Sequence, residues 1–227
     1  MDDSVGDQGP TGECLSKQEN EMTRSKKKIV VGLTLFAVAW GSVVLGRRAP
    51  VLSGDAPSYR QMGFPRARVV LTEYSDLQCP KCGAAVPLIK DLLKAYPHDL
   101  RVVFHHAPLK QHKWAVLAAQ ASEAAGLQGK FWEYAELLFA KQTEWSSVVE
   151  TKPLFLGYAK ELDLDMDQFA RDFESPYVVE MIQNEKARAE SIEIPATPTF
   201  IINGRMLVGD TQLAGNGARY IERELGR

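Results

Sequence analysis

Two hydrophobic periodicities and one unbroken apolar run organise the chain. The segments "RVVLTEY" (68–74) and "DLRVVFHHAPL" (99–109) are short and β-rich, and they read as strands. Between them, "KCGAAVPLIKDLLKAY" (81–96) has apolar residues at helical spacing, with Pro87 as an expected kink. A long helical stretch follows. "QHKWAVLAAQASEAAG" is Ala-rich and is expected to stop at Gly126. "KFWEYAELLFAKQ", "KPLFLGYAKELD", "MDQFARDF" and "PYVVEMIQNEKARAES" continue the helical period, with Asp165 placed to cap the third of these. "TPTFIINGRMLVG" (197–209) returns to β character, and Asn203-Gly204 is a hairpin signal. "DTQLAGNGARYIERELG" is helical at both ends, with Gly215 and Gly217 expected to interrupt it. This order of elements predicts an α/β domain over 67–227 with a helical insertion.

The apolar run is "IVVGLTLFAVAWGSVVLG", residues 29–46, uncharged over 18 positions. As a helix it spans roughly 27 Å, close to the hydrocarbon thickness of a bilayer. A cleaved signal has a shorter apolar run and a small-residue cleavage site, whereas here the exit is "GRRAPVLSG". A buried core helix would carry a polar stripe. The run is therefore read as one transmembrane anchor. It separates a disordered cytoplasmic tail (1–28) from a Pro/Gly/Ser-containing linker (47–66).

Charge refines the picture only near this run. Four bases lie in "RSKKK" before it and two, Arg47 and Arg48, after it. That excess places the N-terminus inside and residues 47–227 outside. The overall net charge of −2 gives no indication of nucleic-acid binding. Of three cysteines, Cys14 then falls in a reducing compartment and Cys79 and Cys82 in an oxidising one. A static disulfide framework does not fit that division.

The candidate chemistry lies in "EYSDLQCPKC", where a strand-like run meets a helix-like one. At this spacing Cys79 and Cys82 suit a redox couple, half of a metal site, or two inert thiols. The start of a helix favours a thiolate at Cys79, and Lys81 adds a nearby cation. Cys82 is then the resolving thiol. A zinc site needs two further ligands, and adjacent His105 and His106 point to opposite sides of a strand. "ELDLDMDQ" lacks the glycine and terminal glutamate of a calcium loop.

Taken with "VVFHHAPL", "AAQASEAAGLQGKFWEYAELLF" and "ATPTFIING", the segment resembles the thioredoxin superfamily, and within it the DsbA-like branch, over roughly residues 66–225. The resemblance implies a thioredoxin-like fold with a helical insertion and no cofactor. It implies Cys79 as the exposed nucleophile, Cys82 as its buried partner, and a cis Thr197-Pro198 bond beside the disulfide. Glu73, six residues before Cys79, takes the place of a buried acid that moves a proton to or from Cys82. Pro80, Lys81 and Thr197 are expected to meet the substrate. Strongly oxidising members often have His where this chain has Lys81. The expected activity is exchange of disulfides with protein thiol substrates, most simply as a donor recharged by a membrane redox partner. The expected location is a bacterial inner membrane, with the catalytic domain in the periplasm or outside the cell. A reductase or isomerase on the same scaffold, or a redox sensor without turnover, are the rival readings.

Overall fold

The computed structural model describes residues 56–227. The tail, Cys14 and the 29–46 run lie outside the described residues, and among the described residues no helix is long and apolar enough to cross a membrane. The strands are β1 (Gln61–Gly63), β2 (Val69–Ser75), β3 (Leu100–His106), β4 (Thr199–Ile202) and β5 (Arg205–Val208). The helices are α1 (Pro80–Ala95), α2 (Ala115–Gly126), α3 (Phe131–Ala140), α4 (Gln142–Trp145), α5 (Lys152–Glu161), α6 (Met166–Phe173), α7 (Pro176–Ser191) and α8 (Gly209–Leu225).

The strands form one sheet in the order β1-β3-β2-β4-β5. β2 and β3 run parallel, joined through α1, and the other pairings are antiparallel. β2 is therefore central, and six of its seven residues are buried. Its alternation gives each face a different cover. Val69 and Leu71 pack with Ala85 and Ile89 of α1 and with Leu213 and Ile221 of α8. Tyr74 faces the other way, onto Ala189 of α7. The insertion α2–α7 has its own aromatic core, including Tyr134, Trp145, Phe155, Phe169 and Phe173, which joins the sheet at Phe104.

Three local expectations change. Residues 58–63, read as linker, instead form a 3-10 turn (Ser58–Arg60) and the edge strand β1, with Arg60 fully buried. A three-residue strand carries too little periodicity to be read from sequence. Gly215 and Gly217 do not interrupt α8, which runs unbroken. A Cβ at Gly217 would lie 3.3 Å from Leu92, so the glycine serves close packing against α1. Gly126 likewise ends α2 without a left-handed turn; a Cβ there would lie 2.6 Å from the Tyr59 ring. Two local signals correspond to observed geometry. Asp165 accepts from the Gln168 N–H at 2.9 Å, and Asn203 and Gly204 adopt φ of 43° and 90° in the β4–β5 turn.

Candidate redox site

The site forms where β2 hands over to α1. Cys79 is the residue capping α1, in extended conformation, and Pro80 occupies the first turn, where its missing N–H costs no helical bond. The Cys79 N–H donates to Asp76 O at 2.9 Å. Cys82 lies one turn in and is wholly buried, while Cys79 is 7% exposed. Both are free thiols.

The two thiols have opposite acidities. Cys79 is lowered to about 5. The neighbouring Cys82 thiol contributes most, burial opposes it, and the Thr197 hydroxyl and the N–H groups of Cys82 and Lys81 add to the lowering. Cys82 is pushed well above the ordinary thiol range, by burial first and then by the adjacent Cys79. One sulfur is therefore a thiolate at neutral pH and the other a protonated thiol. That asymmetry is what exchange through a single attacking sulfur requires.

The β4 side closes the site. The Thr197-Pro198 peptide is cis, and both residues are buried. The Cys79 thiol lies 3.4 Å from Thr197 O. Pro80 and Lys81 are exposed at the rim. The Lys81 backbone N–H, rather than its ammonium, is among the groups that lower the Cys79 pKa. Glu73 lies on β2, 2% exposed, and burial raises its carboxyl to about 7. It borders a small cavity of about 20 Å³ with Phe104 and Trp132.

Sequence reasoning missed the residues that hold this arrangement. Asp76, 1% exposed, donates its N–H to Cys82 Sγ at 3.4 Å. Its carboxylate accepts from the N–H groups of Gln78 (2.7 Å) and Leu109 (2.8 Å), and His112 Nδ1 lies 2.7 Å away. Gln142 of α4 donates to the carbonyls of Leu77 (2.8 Å) and Cys79 (3.1 Å). Gln78 accepts from the Trp114 N–H and donates to Ser146 O. The insertion is thus tied to the turn that presents Cys79. Asp76 stands beside the cysteine motif in sequence, but its partners are far along the chain.

His105 and His106 do not join this site. They belong to a buried charge network with Arg60, Glu123 and Glu185. His105 Nδ1 lies 2.9 Å from Glu185, and His106 Nε2 lies 2.9 Å from Glu123. Arg60 reaches both carboxylates, at 3.3 and 3.0 Å.

The thioredoxin family model matches residues 55–216. The chain belongs to the thioredoxin family. Among solved structures, the domain is similar to a thioredoxin-like oxidoreductase from Silicibacter pomeroyi DSS-3, with 27% identity and a TM-score of 0.61, covering 77% of this chain and 97% of that one. It is also similar to Pseudomonas aeruginosa DsbA2, with 26% identity and a TM-score of 0.59, covering 72% and 94%. The domain thus has a thioredoxin-like fold with a helical insertion, and a DsbA is among its structural neighbours. A curated relative, the Na(+)/H(+) antiporter NhaA 1 of Salinispora arenicola (strain CNS-205), is 40% identical over 145 residues, which is 63% of this chain. The chain spans about a fifth of the length of such relatives, 21% in this case.

Proposed function

We propose that the domain is a thiol–disulfide oxidoreductase that donates the Cys79–Cys82 disulfide to reduced protein substrates. The observation that carries this reading is the split of the two thiols, Cys79 at about 5 above a buried Cys82 pushed upward. Stabilising the Cys79 thiolate stabilises the reduced form, so the disulfide is held as an oxidant. The antiporter name describes proteins of which this chain matches about a fifth, so it brings no transport activity here.

The step balances without a cofactor. A substrate thiolate attacks Cys79 Sγ, the Cys79–Cys82 bond breaks, and Cys82 leaves and takes a proton. The substrate's second thiolate then attacks its own sulfur in the mixed disulfide. The substrate leaves oxidised by two electrons, and Cys79 is released as a stable thiolate. Thr197, beside the cis-proline, offers backbone to an extended substrate chain as an added strand would. Residues 29–46 tether the domain on the outer side of a bacterial inner membrane, where a membrane partner restores the disulfide.

Two variants test the reading. Cys79→Ser is expected to abolish oxidation of a dithiol peptide. Cys82→Ala is expected to accumulate mixed disulfides through Cys79, seen as adducts that dithiothreitol reverses. Turnover in Cys79→Ser, or no adduct in Cys82→Ala, contradicts the mechanism.

A further inference from the structure

Cys82 must take up a proton as it leaves, because a thiolate wholly removed from water is costly. The alternation of β2 puts Glu73 and Ser75 on the same face as Leu71, which packs against α1. Glu73 borders Val86, Ile89 and Lys90 of that helix, and Cys82 lies one turn before Val86. Cys82 Sγ accepts from the Asp76 N–H at 3.4 Å, at the peptide that follows Ser75, so Ser75 adjoins both the thiol and the face that carries the acid. Two residues along a strand cover about 6.6 Å, a spacing across which the Glu73 carboxyl can reach the Ser75 hydroxyl on the same face.

The hydroxyl itself is unusual. Ser75 is 0% exposed, and its Oγ makes no hydrogen bond of standard geometry. It lowers the pKa of both Glu73 and Cys82, the direction expected of a neighbouring hydroxyl donor. A buried hydroxyl without a fixed partner normally costs stability. Here it lies next to a buried acid on its own strand face and near a buried thiol. The neighbouring ionisable groups are engaged elsewhere: Lys90 with Glu136 at 2.6 Å, His106 with Glu123 at 2.9 Å, and Asp76 with His112 at 2.7 Å.

We propose that the Ser75 hydroxyl carries the proton between Glu73 and Cys82. As Cys82 leaves the disulfide, Ser75 O–H gives its proton to the sulfur and takes one from the Glu73 carboxyl. The hydroxyl is regenerated, Glu73 ends as a carboxylate, and no electrons move in the transfer. In reverse, the same path deprotonates Cys82 for attack on a mixed disulfide. The inference rests on the oxidoreductase reading and adds a residue to it.

The test is single-turnover reduction of the oxidised protein by dithiothreitol, from pH 5 to 9. Wild type is compared with Ser75→Ala, Ser75→Thr, Glu73→Gln and the Ser75→Ala/Glu73→Gln pair. Ser75→Ala is expected to slow the step about a hundred-fold near neutral pH, at the low end of general-acid effects. It should also erase the inflection near pH 7 set by Glu73. Glu73→Gln should slow it equally, the pair no further, and Ser75→Thr should regain most of the rate. The Cys79 thiolate absorbance should still titrate near 5 in Ser75→Ala. A wild-type rate and pH profile in Ser75→Ala overturns the relay alone. So does additive slowing in the pair, or a displaced Cys79 midpoint, which would mark a packing effect. No exchange by the wild type overturns the oxidoreductase reading and the relay together.

Discussion

Neighbouring buried acids shift in different directions: burial raises each of them, and each residue's partners decide the outcome. Cys79, at the start of a helix and beside a thiol that donates to it, is lowered. Cys82, more deeply buried and beside the Cys79 sulfur, is raised. Glu73 is raised to about 7 by burial, only partly offset by Ser75. Its sign for stability follows directly. The unfolded carboxyl ionises near its ordinary value while the folded one stays protonated. Stability therefore falls as pH rises from about 4.5 to 7 and levels off above that. Glu73→Gln is expected to flatten this stretch and to stabilise the reduced protein above pH 7 by up to ~3 kcal/mol, read by urea unfolding. An unchanged pH slope would show that Glu73 titrates normally. The cysteine spacing, the acid six residues earlier and the Asn203-Gly204 turn were legible because each is a local pattern. Asp76 and His112 were not, because they meet only after β2 and the loop following β3 are brought together.

Among elements, the insertion is more than an appended bundle. Gln142 and Gln78 link it to the turn before α1 through side-chain-to-backbone bonds. Gln142→Ala removes two donors from buried carbonyls and is expected to cost about 1–2 kcal/mol in chemical unfolding. A change below about 0.5 kcal/mol would mean that the two elements are held by apolar packing alone. The Asp76–His112 pair joins the loop after β3 to the same turn. His112→Ala leaves the buried Asp76 carboxylate with its two backbone donors, and about 1–3 kcal/mol of stability should be lost. Helix positions were readable from the 3.6-residue period, and α7 spans the very residues that period marked. β1 was not readable. It is short, and its preceding turn buries an arginine whose partners, Glu123 and Glu185, lie far along the chain.

At the scale of the molecule, that arginine closes the seam between the N-terminal segment, β3, α2 and α7. Arg60→Met leaves two buried carboxylates sharing two histidines, and it should destabilise the fold by about 3–5 kcal/mol. The network also sets acid stability. Burial raises Glu185, but His105 and Arg60 outweigh it and hold its carboxyl at about 2. The stability it contributes is complete above the ordinary carboxylate range and is lost as pH falls from about 4.5 toward 2. Glu185→Gln should therefore shallow the acid limb of the unfolding profile; an identical acid limb would remove the network from that role. The α/β class and the insertion were legible from the order of elements, whereas this seam depended on the third dimension.

The direction of electron flow is the central claim, and the equilibrium reduction potential of the Cys79/Cys82 pair in glutathione buffer tests it most directly. A Cys79 thiolate held at about 5 predicts a value between about −180 and −120 mV, the range of isomerases and strong oxidants. A value near about −270 mV, as in thioredoxin, would contradict the donor role and make the domain a reductase.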